Sequence, residues 1–137
     1  MTPWGYLDVF SFVRFMLKSL AIAWKEKNID LVIATSTPLT VGFPALVLKK
    51  IKRIPYVFEV RDLWPEVPIQ MGALKNRFLI GLARWFERSV YKNAKHIIAL
   101  SPGMRDGVLD QKINKEKVSM IPNMSKIDAF WPREKRL

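Results

Sequence analysis

The chain has 137 residues, 50% of them hydrophobic and 12% aromatic. That supports one core and one domain, and it excludes intrinsic disorder and collagen-like or coiled-coil structure. With no cysteine and a single histidine, a disulfide framework, a cysteine-ligated metal or cluster and a histidine-cluster site are also excluded. Lys and Arg number 23 against 12 Asp and Glu, a formal net charge of +11, which attracts the chain to nucleic acid, lipid head groups or phosphorylated small molecules.

Residues 1–28 are the most apolar stretch. Asp8, Arg14 and Lys18 interrupt it, so no run reaches the roughly 18–20 uncharged residues of a spanning helix. No basic leader precedes a clean apolar run and a small-residue cleavage site, so a secretory signal is not expected. As a helix, the stretch sets Ser11, Arg14, Lys18 and Lys25 on one thin polar stripe. Leu7, Phe10, Phe12, Val13, Phe15, Leu17, Leu20, Ile22 and Trp24 cover most of the remainder. A helix apolar nearly all round is expected to be buried between a sheet and its neighbours. The alternative is a helix lying in a bilayer surface, its cations reaching to phosphates.

Residues 30–35 (DLVIAT) form a β-branched run with no polar face, the pattern of a parallel strand covered on both sides. A loop follows, then a helix over 41–53 whose last turn carries Lys49, Lys50, Lys52 and Arg53, where cations suit the helix dipole. Residues 55–60 (PYVFEV) read as the second strand. The connection from Arg61 to Gly72 is too broken by proline to be regular. Residues 75–93 predict a strongly amphipathic helix with Phe78, Leu82, Trp85, Phe86 and Val90 on its core face. Arg77, Arg84, Arg88 and Lys92 form a basic stripe on another face, read either as solvated or as a match for anionic lipid. Residues 96–100 are the third strand. Ser101 reads as the N-cap of the next helix and Pro102 as its first residue. Residues 117–121 are the fourth strand, ending in Pro122 and Asn123.

Helices alternating with short apolar strands predict an α/β fold, an open parallel sheet with flanking helices. The alternation begins with a helix, whereas doubly wound domains normally begin with a strand. The first strand is therefore expected to be missing.

In such sheets ligands bind beyond the carboxyl ends of the strands. Candidate residues there are Thr35, Ser36 and Thr37 after the first strand, residues 61–66 (RDLWPE) after the second, Ser101 and Gly103 after the third, and Asn123 after the fourth. Together they offer hydroxyls, a guanidinium, carboxylates, an indole and helix N-termini able to hold phosphate. An arginine and an aspartate directly at a strand end, followed by Trp64 and Glu66, are costly to place there unless they bind something. The alternative is an Arg61–Glu66 or Arg61–Asp62 pair that only fixes the loop. Ser101 needs only its oxygen to cap a helix, so phosphate binding is its second reading. His96 begins its strand instead of ending it and reads as structural. Glycine-rich dinucleotide and P-loop motifs, a hydrolase nucleophile elbow and nucleic-acid modules leave no signature.

The order of motifs resembles the N-terminal domain of family 4 retaining glycosyltransferases, enzymes of the two-domain GT-B fold. The resemblance covers about residues 30–132. It rests on DLVIATSTPLT (30–40), PYVFEVRDLWPE (55–66), AKHIIALSPGM (94–104), VSMIPN (118–123) and FWP (130–132). The second of these is the most specific, and it is similar to the subgroup that builds bacterial surface polysaccharides, capsule or O-antigen, on polyprenyl diphosphate carriers.

This resemblance implies a Rossmann-like, acceptor-side half of a GT-B enzyme over residues 1–122, with 123–137 beginning the interdomain linker. Many members carry a catalytic-site histidine after the second strand; Arg61 and Asp62 stand here, and Asp62 is the better candidate for contact with acceptor or transferring sugar. The family's first strand and glycine-rich loop are expected before this chain. A nucleotide-binding C-terminal domain is expected after it, supplying the cations that stabilise the leaving diphosphate.

The implied whole enzyme passes a hexosyl or N-acetylhexosaminyl group from a nucleotide-diphosphate sugar to a lipid-linked acceptor. It does so with retention, without an obligatory metal and without a cofactor beyond the donor substrate. The chain alone is expected to be inactive. Its partners would be the nucleotide sugar, the lipid-linked acceptor, the missing C-terminal domain and, through Arg77, Arg84, Arg88 and Lys92, the inner face of the bacterial plasma membrane. A reading from another class is a free-standing basic α/β module for nucleic acid or a regulatory partner, although no specific nucleic acid is expected.

Overall fold

Four apolar runs too short for helices become the strands β1 (Val32–Thr35), β2 (Tyr56–Val60), β3 (His96–Ala99) and β4 (Val118–Met120). The computed structural model describes residues 4–36, 39–70, 72 and 75–124. Thr37 and most of the expected linker, including Phe130 and Trp131, lie outside the described residues. The strands pair in parallel in the order β1-β2-β3-β4. One register row runs Ala34–Phe58–Ile97–Val118 and the next runs Thr35–Glu59–Ile98–Ser119. This is the expected α/β Rossmann-like sheet.

Among the described residues five α-helices accompany the strands: α1 (Trp4–Lys25), α2 (Gly42–Ile51), α3 (Glu66–Gln70), α4 (Arg77–Asn93) and α5 (Pro102–Asp110), with a 3₁₀ turn at Leu39–Val41. Their ends follow local chemistry. Asn76 caps α4, its Oδ1 accepting from the backbone N–H of Phe78 at 2.9 Å and of Leu79 at 3.3 Å. The Ser101 hydroxyl accepts from Met104 N–H at 3.3 Å, with Pro102 at the first helical position. α3 corrects the expectation of an irregular 61–72 connection: Pro68 lies in its first turn, where the missing N–H would have no helical partner anyway.

Each crossover moves one strand further in the same direction. Right-handed connections of that kind place α2, α4 and α5 on one face. Burial agrees with this placement. Ala34, Tyr56, Phe58, Val60, Ile97 and Ala99 are buried under these helices, while Ile33, on the opposite face of edge strand β1, is 68% exposed. The core is made by that covered face together with Leu39, Ala45, Val90, Tyr91, Ala94, Val108 and Ile113. Phe58 and Tyr91 meet with ring centroids 5.9 Å apart, and the Tyr56 hydroxyl donates to the Val90 carbonyl.

Two burial expectations are overturned. α1 packs on α2 and the 3₁₀ turn and does not insert against the sheet, so Val13, Phe15, Leu17, Ile22 and Trp24 are exposed. Lys52 ties its end down, lying over the Trp24 ring at 5.0 Å from the centroid and donating to the Trp24 carbonyl. In α4 the buried side is Glu87, Val90 and Tyr91. Phe78 and Trp85, expected in the core, are 76% and 65% exposed, and Leu82 is exposed as well. The cause is position along the helix. α4 runs antiparallel to the strands, so only its C-terminal half lies over the sheet, and its N-terminal half stands at the carboxyl edge.

Gly42, the first residue of α2, lies against Val90 of α4. A Cβ there would stand 2.7 and 3.0 Å from the two γ-carbons of Val90, a fully buried side chain with one stiff rotamer. Gly42→Ala is therefore expected to destabilise the fold by about 1–3 kcal/mol, against the gain of about 1 kcal/mol that alanine brings to an unobstructed helix. The midpoint of urea unfolding reads the sign directly.

Candidate functional site at the carboxyl edge of the sheet

The loops after β1 and β2 are tied together by a serine and a glutamate. Ser36 is buried, and its hydroxyl accepts from the Arg61 backbone N–H at 2.8 Å. The Thr35 hydroxyl donates to Glu59 Oε2 at 3.3 Å, and Arg61 Nε donates to Glu59 Oε1 at 3.0 Å. Glu59 is the larger part of this cluster and the sequence reading missed it. Its signal is an acid inside an otherwise apolar strand, facing the side of the sheet left uncovered by α2, α4 and α5.

The structural pairings differ from the two foreseen. Arg61 pairs with Glu59, and its side chain is half exposed. Glu66, at the start of α3, accepts two bonds from Arg84 on its Oε1, at 3.1 Å from Nε and 2.8 Å from Nη2. Arg84 is thus shared between the basic stripe and the β2 loop. Arg77, Arg88 and Lys92 are exposed along α4 as expected. Asp62 and Trp64 are half-buried on the same loop, which contains a cis Trp64–Pro65 peptide. Gly103 lies exposed in the first turn of α5, and Asn123 is exposed beyond β4. Their strands adjoin at the same edge, and among the described residues no hydrogen bond joins them to the Ser36–Glu59–Arg61 cluster. Thr37 lies outside the described residues. His96 pairs with Ser119 across β3 and β4, its Nε2 2.8 Å from the hydroxyl, far from the carboxyl edge.

Beside this polar cluster is an apolar groove of about 400 Å³, lined by Leu39, Thr40, Trp64, Leu79, Leu82, Ala83, Trp85 and Phe86. It lies between the 3₁₀ turn after β1, the loop after β2 and the N-terminal half of α4. Among the described residues no group of three or more acidic or histidine side chains is placed to hold a metal ion, and no helix is long and apolar enough to cross a membrane.

Residues 3–124 match the family model described as a glycosyl transferase 4-like domain. The chain belongs to the glycosyl transferase 4-like family. No curated protein matches it. Membership makes it a glycosyltransferase domain.

Glu87 is the other residue missed. It is 2% exposed on α4, one turn after Arg84 and one turn before Tyr91, and its Oε2 has no hydrogen-bond partner among the described residues. Burial is the main cause that pushes its carboxyl up from 4.5 to about 7; Glu66 adds to the rise, while the Tyr91 hydrogen bond and Arg84 oppose it. Burial and the neighbouring Glu87 likewise push the Tyr91 hydroxyl up. The spacing of 87, 90, 91 and 94 is the sequence signal that Glu87 faces the core.

The folded chain therefore holds a proton on Glu87 that the unfolded chain releases near 4.5. Below that pH both states are protonated and nothing is lost. As pH rises towards and through about 7 the fold must bury a charge, and stability falls. Glu87→Gln is expected to match the parent at about pH 4 and to exceed its stability at about pH 8 by about 3 kcal/mol. Denaturant melts at the two pH values measure this, and an equal difference at both would refute the buried charge.

Proposed function

We propose that this domain is the acceptor-binding half of a retaining glycosyltransferase. It passes a sugar from a nucleotide-diphosphate donor to a lipid-linked acceptor at the inner face of the bacterial plasma membrane, in cell-surface polysaccharide synthesis. A single observation carries the reading: at one sheet edge, a hydrogen-bonded polar cluster of Thr35, Ser36, Glu59 and Arg61, with Asp62 next in chain, adjoins an apolar groove and a helix bearing Arg77, Arg84, Arg88 and Lys92. A lipid-linked sugar acceptor has the same three parts, hydroxyls, a hydrocarbon chain and phosphate. Cations near an anionic leaflet add about 1 kcal/mol each, and exposed Phe78 and Trp85 add apolar insertion at the interface.

In this reading Asp62 contacts the acceptor hydroxyl, Arg61 and Glu59 hold the loop that presents it, and Trp64 and Glu66 border the acceptor. The donor diphosphate is held by a second, nucleotide-binding domain, with Ser101, Gly103 and Asn123 on the side facing it. No metal and no cofactor beyond the donor take part.

Labelled sugar supplied as nucleotide sugars to membranes containing the whole enzyme is expected to enter the lipid extract. Asp62→Asn is expected to lower that incorporation by about a hundredfold or more. Lys112→Gln, at the far end of α5, leaves it unchanged. Label appearing only in water-soluble product, or incorporation indifferent to Asp62→Asn, overturns the proposal. The isolated 137-residue chain is expected to transfer nothing measurable.

A further inference from the structure

The groove beside α4 offers almost no hydrogen-bonding groups to a sugar's hydroxyls. Six of its lining side chains, Leu39, Trp64, Leu79, Leu82, Trp85 and Phe86, are large and apolar, and Thr40 brings the one aliphatic hydroxyl. A hydroxyl-bearing ligand seated there would lose its water without gaining partners. The volume of about 400 Å³ lies within the range of small-molecule sites, and exposed Phe78, Leu79, Leu82 and Trp85 continue the same apolar surface outward. A ligand can therefore enter from an apolar phase.

Charge selects what is attached to that ligand. Ala83 and Trp85 line the groove, and Arg84 between them turns to Glu66 at its border. Both bonds of the pair end on one glutamate oxygen, from Nε and Nη2. The Arg84 side chain stays half exposed, so its remaining Nη edge is open to an anion. Arg77 and Arg88 are exposed on the same helix, and the chain as a whole carries +11.

Resting on the membrane-acceptor reading above, we propose that this groove holds one hydrocarbon chain of a phosphorylated lipid, with the phosphate against the open edge of Arg84. The site is distinct from the Asp62 contact with the acceptor hydroxyl. It anchors the lipid end of the molecule whose sugar end reaches the strand termini.

The test is calorimetric titration of the chain with decyl phosphate, decanol and inorganic phosphate below micellar concentrations, with co-sedimentation on anionic phospholipid vesicles in parallel. Decyl phosphate is expected to bind about tenfold more tightly than decanol, and inorganic phosphate not measurably. Leu82→Ser, at a half-exposed position, weakens both decyl ligands by about tenfold. Leu79→Ser serves as a second groove variant with the same expectation. Arg84→Gln removes the preference for phosphate over alcohol, while Lys112→Gln changes nothing.

Inorganic phosphate binding as tightly as decyl phosphate overturns the groove assignment. So does indifference to both serine variants, or self-association of the chain that excludes the decyl ligand. Vesicle binding without decyl phosphate binding overturns the groove alone and leaves the membrane reading standing. Decyl phosphate binding without vesicle binding supports the groove and counts against that reading.

Discussion

The organisation of this domain depends on one constraint of chirality. Three parallel crossovers advance in a single direction from β1 to β4, and right-handed connections then leave α2, α4 and α5 on the same face of the sheet. Every loop that follows a strand emerges at one edge, so residues as distant in sequence as Ser36, Glu59 and Arg61 can share hydrogen bonds. The same rule leaves Ile33 on the far face exposed. The sheet is one-sided in burial, and its chemistry is concentrated at one end.

Helix α4 connects that scaffold to its surface. Its C-terminal half is part of the core, through Val90, Tyr91 and the buried Glu87. Its N-terminal half, beyond the sheet's reach, is equally apolar but has no core to enter. A helix that keeps Phe78, Leu82 and Trp85 in water bears an unfavourable hydration cost of about 25 cal/mol per Å², which folding alone does not offset. Under the proposed membrane-acceptor function this surface would serve at a lipid interface, with its apolar side chains inserting and the flanking arginines meeting phosphate. α1 repeats the pattern on the other side of α2 and the 3₁₀ turn, with exposed Phe15, Leu17 and Ile22.

The fold was largely legible in the sequence because its signals are local. β-branched runs bounded by polar residues became strands, and Asn76 and Ser101 capped the helices they precede. What escaped was what depends on overhang and partnership. The 3.6-residue period of α4 identified an apolar face but not how far along the helix the sheet extends, so Phe78 and Trp85 were expected in a core they never reach. Periodicity likewise showed α1 as apolar nearly all round without showing that it would pack chiefly on α2 and the 3₁₀ turn. At the site, Arg61 and Asp62 stood out by composition. The partner of Arg61, Glu59, was hidden within a strand, and the Glu66–Arg84 pair joins segments 18 residues apart, a link that no local pattern encodes.

The central claim is that the carboxyl edge of the sheet, with the groove beside α4, works at a lipid surface. It is tested most directly by quenching of tryptophan fluorescence with brominated lipids. Of the five tryptophans, Trp4, Trp24 and Trp131 would be replaced by phenylalanine, leaving Trp64 and Trp85 at the groove. In anionic vesicles the account predicts strong quenching by bromines placed near the head groups, and little in neutral vesicles. A chain that sediments with anionic vesicles while both groove tryptophans remain unquenched would contradict it.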